Sequence, residues 1–166
     1  GNIHNLERAY QKQAQAFKKA ELNFPFLAIW DDHDYGKNDG GVEYSLKNES
    51  KKLFLQFWDI PETDRRHRKH GLYFEEIIHS NEGTVQILML DTRYFRSPLK
   101  RTPIFKKISL GRYEPDYDPA KTMLGEDQWE WLEVALKKEA DLRILGTSIQ
   151  FLAEGHGWER WGNLPL

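Results

Sequence analysis

Apolar residues recur at helical spacing near the start of the chain, where Leu6, Tyr10, Ala14 and Phe17 form one stripe. This predicts a helix capped by Asn5 and running to about Glu21, with Lys12, Lys18 and Lys19 on or near its wet face. Asn23 and Pro25 close it. The pattern then becomes an unbroken apolar run, Phe26, Leu27, Ala28, Ile29 and Trp30, the signature of a short strand buried on both faces. A second helix is expected over residues 42–58, with Leu46, Leu53, Phe54 and Phe57 inward and Pro61 beyond its end. Residues 72–79 and 84–90 read as a hairpin around Ser80-Asn81-Glu82-Gly83. A long section at 94–121, broken by Pro98, Pro103, Pro115 and Pro119, reads as irregular and as a binding loop or lid. The clearest helix spans 125–140: Glu126 and Asp127 suit its N-terminal dipole, Lys137 and Lys138 its C-terminal one, and its tryptophans are expected in the core. A third short buried strand is expected at 142–145.

Each of the three apolar strands finishes in polar residues. The first runs into Asp31, Asp32, His33 and Asp34, then into a Gly- and Asn-rich turn; the second into Asp91, Thr92 and Arg93; the third into Thr147 and Ser148. One Asp after a strand is usually a turn cap. Three around one His are different, because carboxylates crowded at a buried strand end repel and lose hydration, and a cation is the usual remedy. In layered α/β proteins the site lies at the carboxyl ends of the strands. The pattern therefore predicts an α/β fold with a polar, metal-binding or catalytic site along one sheet edge.

Composition narrows this further. The 166 residues carry a net charge of −2, with 39% hydrophobic and 30% charged residues, enough for one domain with a core of its own. No specific nucleic-acid partner is expected from that balance, and no stretch is apolar for long enough to span a membrane. There is no Cys, so any metal must rest on oxygen and imidazole. The basic run Arg65, Arg66, His67, Arg68, Lys69 and His70 reads as a solvated loop, with an anion-binding face as the alternative.

Trp30-Asp31-Asp32-His33-Asp34-Tyr35-Gly36 with Asn38-Asp39-Gly40-Gly41 resembles the alkaline phosphatase D (PhoD-like) family of calcineurin-type metallophosphoesterases. Leu90-Asp91-Thr92-Arg93-Tyr94-Phe95-Arg96, Leu124-Gly125-Glu126-Asp127-Gln128-Trp129-Glu130-Trp131-Leu132 and Trp158-Glu159-Arg160-Trp161-Gly162-Asn163 resemble further family segments in the same order. The resemblance implies a layered α/β/β/α sandwich with mixed sheets and two metal ions (Ca, Mn, Fe or Mg). It implies hydrolysis of phosphate mono- or diesters by a metal-activated hydroxide. On the match, Asp32 would ligate a metal, His33 would stabilise the transition state or protonate the departing oxygen, and Asp31 and Asn38 are second candidates as ligands or supports. Arg93 is a candidate phosphate contact, with a structural salt bridge to Asp91 or a neighbour as the alternative. Export to the periplasm or the medium is suggested by the resemblance alone.

The departures set expectations as well. The superfamily's Asp-x-His and Gly-Asp motifs are absent, its closing His motif would fall beyond Leu166, and Thr147-Ser148 stands where many relatives place a His. The 166 residues are thus expected to form a partial PhoD-like domain that hydrolyses phosphate esters poorly, with His156 as the one further His suited to the site. Two other functions remain open. One is a non-catalytic metal- or anion-binding module, although the acidic turn fails the EF-hand pattern at Tyr35 and Val42. The other is a sugar- or nucleic-acid-binding face made of Tyr113, Tyr117, Trp158, Trp161 and the basic run.

Overall fold

In the computed structural model, the described residues are 2–22, 24–103 and 111–165. Asn23 and part of the long irregular section, 104–110, lie outside them. The chain is a mixed α/β structure with four helices among the described residues: α1 (Ile3–Lys19), α2 (Asp32–Tyr35), α3 (Lys47–Phe57) and α4 (Glu126–Leu136). Its three strands are β1 (Phe74–Ser80), β2 (Gly83–Met89) and β3 (Leu142–Gly146).

Asn2, rather than Asn5, caps α1: its side chain accepts from the His4 amide at 3.0 Å. Leu6 and Tyr10 are the buried residues of the helix. Tyr10 stacks on Phe57 of α3 with ring centroids 4.6 Å apart, and Phe17 meets Phe26 and Trp58. The run 26–30 behaves differently from its pattern. Among the described residues it joins no sheet, and Phe26 and Leu27 are exposed. Only Trp30 at its end is fully buried, between Tyr35 and Phe54. Helix α3 starts five residues later than expected because residues 41–46 have other partners. The Val42 amide donates to the Arg96 carbonyl at 2.8 Å, and Tyr44 packs its ring on Tyr35.

The expected hairpin forms, with Phe74 opposite Met89 and Ser80 opposite Gly83. β3 adds on the other side of β2 in parallel, Val85 opposite Leu142 and Met89 opposite Gly146, so the sheet order is β1-β2-β3. A parallel neighbour needs a long crossover, and α4 lies within it, covering one face of the sheet. Leu88 and Leu90 pack with Leu132 and Ala135, and Gln86 donates to the Ala135 carbonyl at 2.8 Å. The sequence pattern predicts a buried strand at 142–145. It is instead an edge strand among the described residues, with Leu142, Ile144 and Leu145 exposed. The tryptophans of α4 are not core either: Trp129 is exposed and Trp131 half-buried.

Two apolar clusters result. One gathers Leu6, Tyr10, Trp30, Phe54, Leu72 and Tyr94 under the helices. The other gathers Leu88, Leu90, Met123, Leu124 and Leu132 under α4. The polar residues that follow Trp30 and Leu90 lie where these two clusters meet.

Candidate functional site

Asp91 joins the two clusters. It is fully buried, and its carboxylate accepts from the Trp30 indole at 2.8 Å and from the backbone amides of Leu72, Arg93 and Tyr94 at 2.8, 3.0 and 2.9 Å. Gln128 of α4 holds the Asp91 backbone on both sides, donating to its carbonyl and accepting from its amide. An anion with four donors at these distances is well compensated inside a protein. Asp91 is therefore a structural anchor that aligns the segment after Trp30 with the segment after β2.

Arg93 projects from that anchor. Its guanidinium, 2% exposed, takes Glu159 in a two-pronged pair at 2.7 and 2.8 Å, and it takes Asp31 through Nε at 2.9 Å and through Nη2. Burial opposes the charge, but Glu159 and Asp31 outweigh it, so the Arg93 pKa is raised. Of the two sequence alternatives for Arg93, the geometry supplies salt bridges, with Asp31 and Glu159 as partners. Arg96 lies beside it, donating to the Asp39 carbonyl at 2.6 Å and pairing with Glu159 at 3.1 Å; burial pulls its pKa down. Burial likewise pushes the Glu159 pKa up, against the pull of Arg93.

The acidic turn is tightly built. The Asp31 amide donates to Asp34 Oδ1 at 2.7 Å, and Gly36 closes α2 with φ +102°, a left-handed conformation that suits glycine. Burial pushes the Asp34 carboxyl up to about 6. The chain then curls so that the Asp39 amide donates to Asp32 Oδ2 at 3.1 Å. Asp39 Oδ2 accepts from Tyr113 Oη at 2.7 Å and from Arg112 at 3.3 Å, and this buries Tyr113, which sequence had placed on the surface. Burial and that hydrogen bond push the Tyr113 phenol up to about 12.

Asp32, Asp39 and Glu159 each bring a carboxylate oxygen within 4.8 Å of the others. Three half-buried carboxylates at that separation fit one hard cation with oxygen ligands, in keeping with the absence of Cys. Among the described residues this is the single such group. Asp31 borders it, engaged by Arg93; His33 is outside it, and both His33 and Asn38 are exposed. His156 is outside it too; its Nδ1 accepts from the Trp158 amide. A hollow of about 200 Å³ opens beside the cluster, bounded by Asp31, Asp39, Arg93, Ser148, Trp158 and Glu159. Ser148 is tied to Thr92 at 2.8 Å, which links the ends of β3 and β2. Glu159 reaches the site from a segment pinned nearby: the Arg112 and Tyr113 amides both donate to the Gly157 carbonyl. There the backbones of Gly111 and Gly157 pass so closely that a Cβ on either would overlap the other.

A profile of PhoD-like phosphatases matches residues 5–160. The chain belongs to the PhoD-like phosphatase family. No curated protein and no solved structure matches it. Sequence reasoning had not assigned two members of the cluster in this PhoD-like chain, Asp39 and Glu159. Both sit inside segments that carried the resemblance, Asn38-Asp39-Gly40-Gly41 and Trp158-Glu159-Arg160. The signal was present in those motifs but did not say which residue turns inward.

Proposed function

We propose that the chain carries a cation site for phosphate-ester hydrolysis, with Asp32, Asp39 and Glu159 as ligands. The convergence of two carboxylates of the acidic turn with Glu159 from a distant segment, beside two buried arginines, carries this reading, and the family membership supports it. Such a cation, when bound, supplies Lewis acidity toward a phosphoryl oxygen and lowers the pKa of water. Arg93 contributes by holding Glu159 and Asp31 in place, since its donors are already engaged there. His33 would protonate the departing oxygen, a role that its exposure one residue beyond Asp32 supports. Exposed Asn38 is available as a further oxygen ligand. One cluster holds one cation, so turnover by these residues alone is expected to be weak, with a second ion needed for full activity. The same reading makes residues 1–166 part of a layered α/β/β/α sandwich, supported by the apolar side chains that β3 leaves exposed.

The test combines metal analysis with hydrolysis of an aryl phosphate and an aryl phosphodiester in Mn²⁺, Ca²⁺, Mg²⁺ and Fe³⁺. The wild type should bind about one equivalent of cation and turn over the ester only when loaded. Asp39→Asn should lose both. Stoichiometric binding without turnover in any metal would favour the non-catalytic cation-binding module instead, and metal-independent turnover would rule out the ligand assignment.

A further inference from the structure

A hollow of about 620 Å³ shares no residue with the acidic cluster. It lies between α3 and the loop at 59–70. Lys51 and Lys52 enter from the helix and Arg68 and Lys69 from the loop, while Leu55 and Ile60 supply an apolar wall. Its size is that of a small-molecule site. Three cations, Lys51, Lys52 and Arg68, face two carboxylates, Asp59 and Glu62, while the Lys69 ammonium turns to Tyr73. Along α3 the lysines precede Leu55 by about one turn, and Asp59 follows the helix end, so the hollow is basic toward one end and acidic toward the other.

The cations are unusually short of counterions. Among the described residues, none of Lys51, Lys52, Arg68 or Lys69 has a carboxylate within 4.0 Å. Lys51 is only 9% exposed, and its ammonium donates to the Lys69 carbonyl; the Lys69 ammonium donates to the Tyr73 carbonyl and sits 3.4 Å from the centre of the Tyr73 ring. An ammonium has three donors, so one carbonyl leaves each of them under-used. Burial pulls the Lys51 pKa down and, helped by the nearby Arg66 charge, brings that of Lys69 to about 8. Partly desolvated cations with no carboxylate in direct contact are the complement of an anionic ligand, although Asp91 and, for Lys69, Asp64 attract them from further off.

We propose that this hollow binds a small phosphate-bearing molecule, its dianion among Lys51, Lys52 and Arg68 and its neutral body toward Leu55 and Ile60. Asp59 and Glu62 at the other end oppose a long polyanion such as nucleic acid, which restricts the ligand to one compact anionic group. The site is independent of the hydrolytic reading, because it uses none of the cluster's residues.

The experiment is calorimetric titration of the purified protein with inorganic phosphate in excess EDTA, which removes any metal-borne phosphate binding. Saturable one-site binding is expected. The exposed Lys52→Gln and Arg68→Gln substitutions should each weaken it roughly tenfold, the loss of one charge-assisted contact, and Asp59→Asn should tighten it. Lys19→Gln, on α1, should leave it unchanged. Absence of saturable binding in the wild type would overturn the proposal. So would wild-type affinity in both Lys52→Gln and Arg68→Gln, or an equal loss in Lys19→Gln, which would show a net-charge effect alone.

Discussion

The acidic cluster and the basic hollow solve opposite charge problems in opposite ways. Around Arg93 the excess is negative, and side chains neutralise one another directly: Asp31 and Glu159 on Arg93, Glu159 again on Arg96, Asp39 on Arg112. Around Lys51 and Lys69 the excess is positive, and the cations lean on carbonyl oxygens and a tyrosine ring. Fixed guanidinium forks give the first region a set geometry. Lysines resting on neutral dipoles leave the second with charge to spare for something that arrives. Within the basic loop Arg66 follows the first pattern, its guanidinium lying against Asp64 at 2.8 and 3.0 Å. Proximity to other cations therefore does not decide the matter; the availability of a carboxylate at the right spacing does.

The sharpest way to break this contrast is Arg93→Met, which leaves Glu159 and Asp31 facing each other without their shared cation. Removing one partner of a buried pair typically costs about 3–5 kcal/mol, measured here as the shift in urea unfolding. Arg93→Lys should recover little of it, because an ammonium cannot bridge both carboxylates with the same fork. A loss below about 1 kcal/mol would mean that the network is only a surface ornament. His33→Ala comes next and should act on chemistry alone. The rate on an aryl phosphate should fall about 10²-fold, with cation content and unfolding midpoint unchanged; an unaltered kcat would remove His33 from the reaction. Trp30→Phe tests the anchor beneath both. Losing the indole bond to Asp91 should destabilise by about 1–2 kcal/mol, and Arg93-dependent metal retention should weaken in parallel.

The smallest effect belongs to the basic loop. Asp64 caps the 3₁₀ turn at Arg65–His67, accepting from the Arg66 amide at 2.7 Å, so Asp64→Ala should cost about 1 kcal/mol. The hydrogen bond from the Arg66 side chain holds the Asp64 carboxyl at about 2, below its ordinary 3.8. A carboxyl depressed in the folded state stabilises it above the unfolded value, and that gain is lost as pH falls through the folded one. The difference between wild type and Asp64→Ala should therefore be constant above about pH 4 and shrink between about pH 4 and pH 2. A difference that stayed flat across that range would deny the ion pair its role.

Much of this architecture could be read from periodicity. The hairpin appeared within two residues of its expected bounds, and α4 followed from Glu126, Asp127 and its apolar stripe. The run at 26–30 misled because an apolar run says only that side chains seek cover. Here Phe26 stacks with Phe17 and Phe24 while still exposed, and no neighbouring strand among the described residues takes up the backbone. β3 failed in the other sense, apolar by pattern yet exposed at a sheet edge. For the site, motif spacing located the acidic turn but not its orientation. Asp32 entered the cluster together with Asp39, because the turn after Gly36 brings the Asp39 amide onto Asp32 and Tyr113 onto Asp39. Glu159 lies 66 residues from Arg93, a separation that no local pattern encodes.

The close passage of Gly111 and Gly157 gives this long-range pairing a genetic consequence. Since a methyl group at either position meets the other's backbone, the two codons constitute a single target for damage. Loss at one is already full loss of the crossing, so a double alanine variant should be little worse than either single one, a non-additivity that marks shared contacts. A saturation library would record two intolerant positions, 46 residues apart in sequence, on behalf of a carboxylate at 159 that neither of them touches chemically.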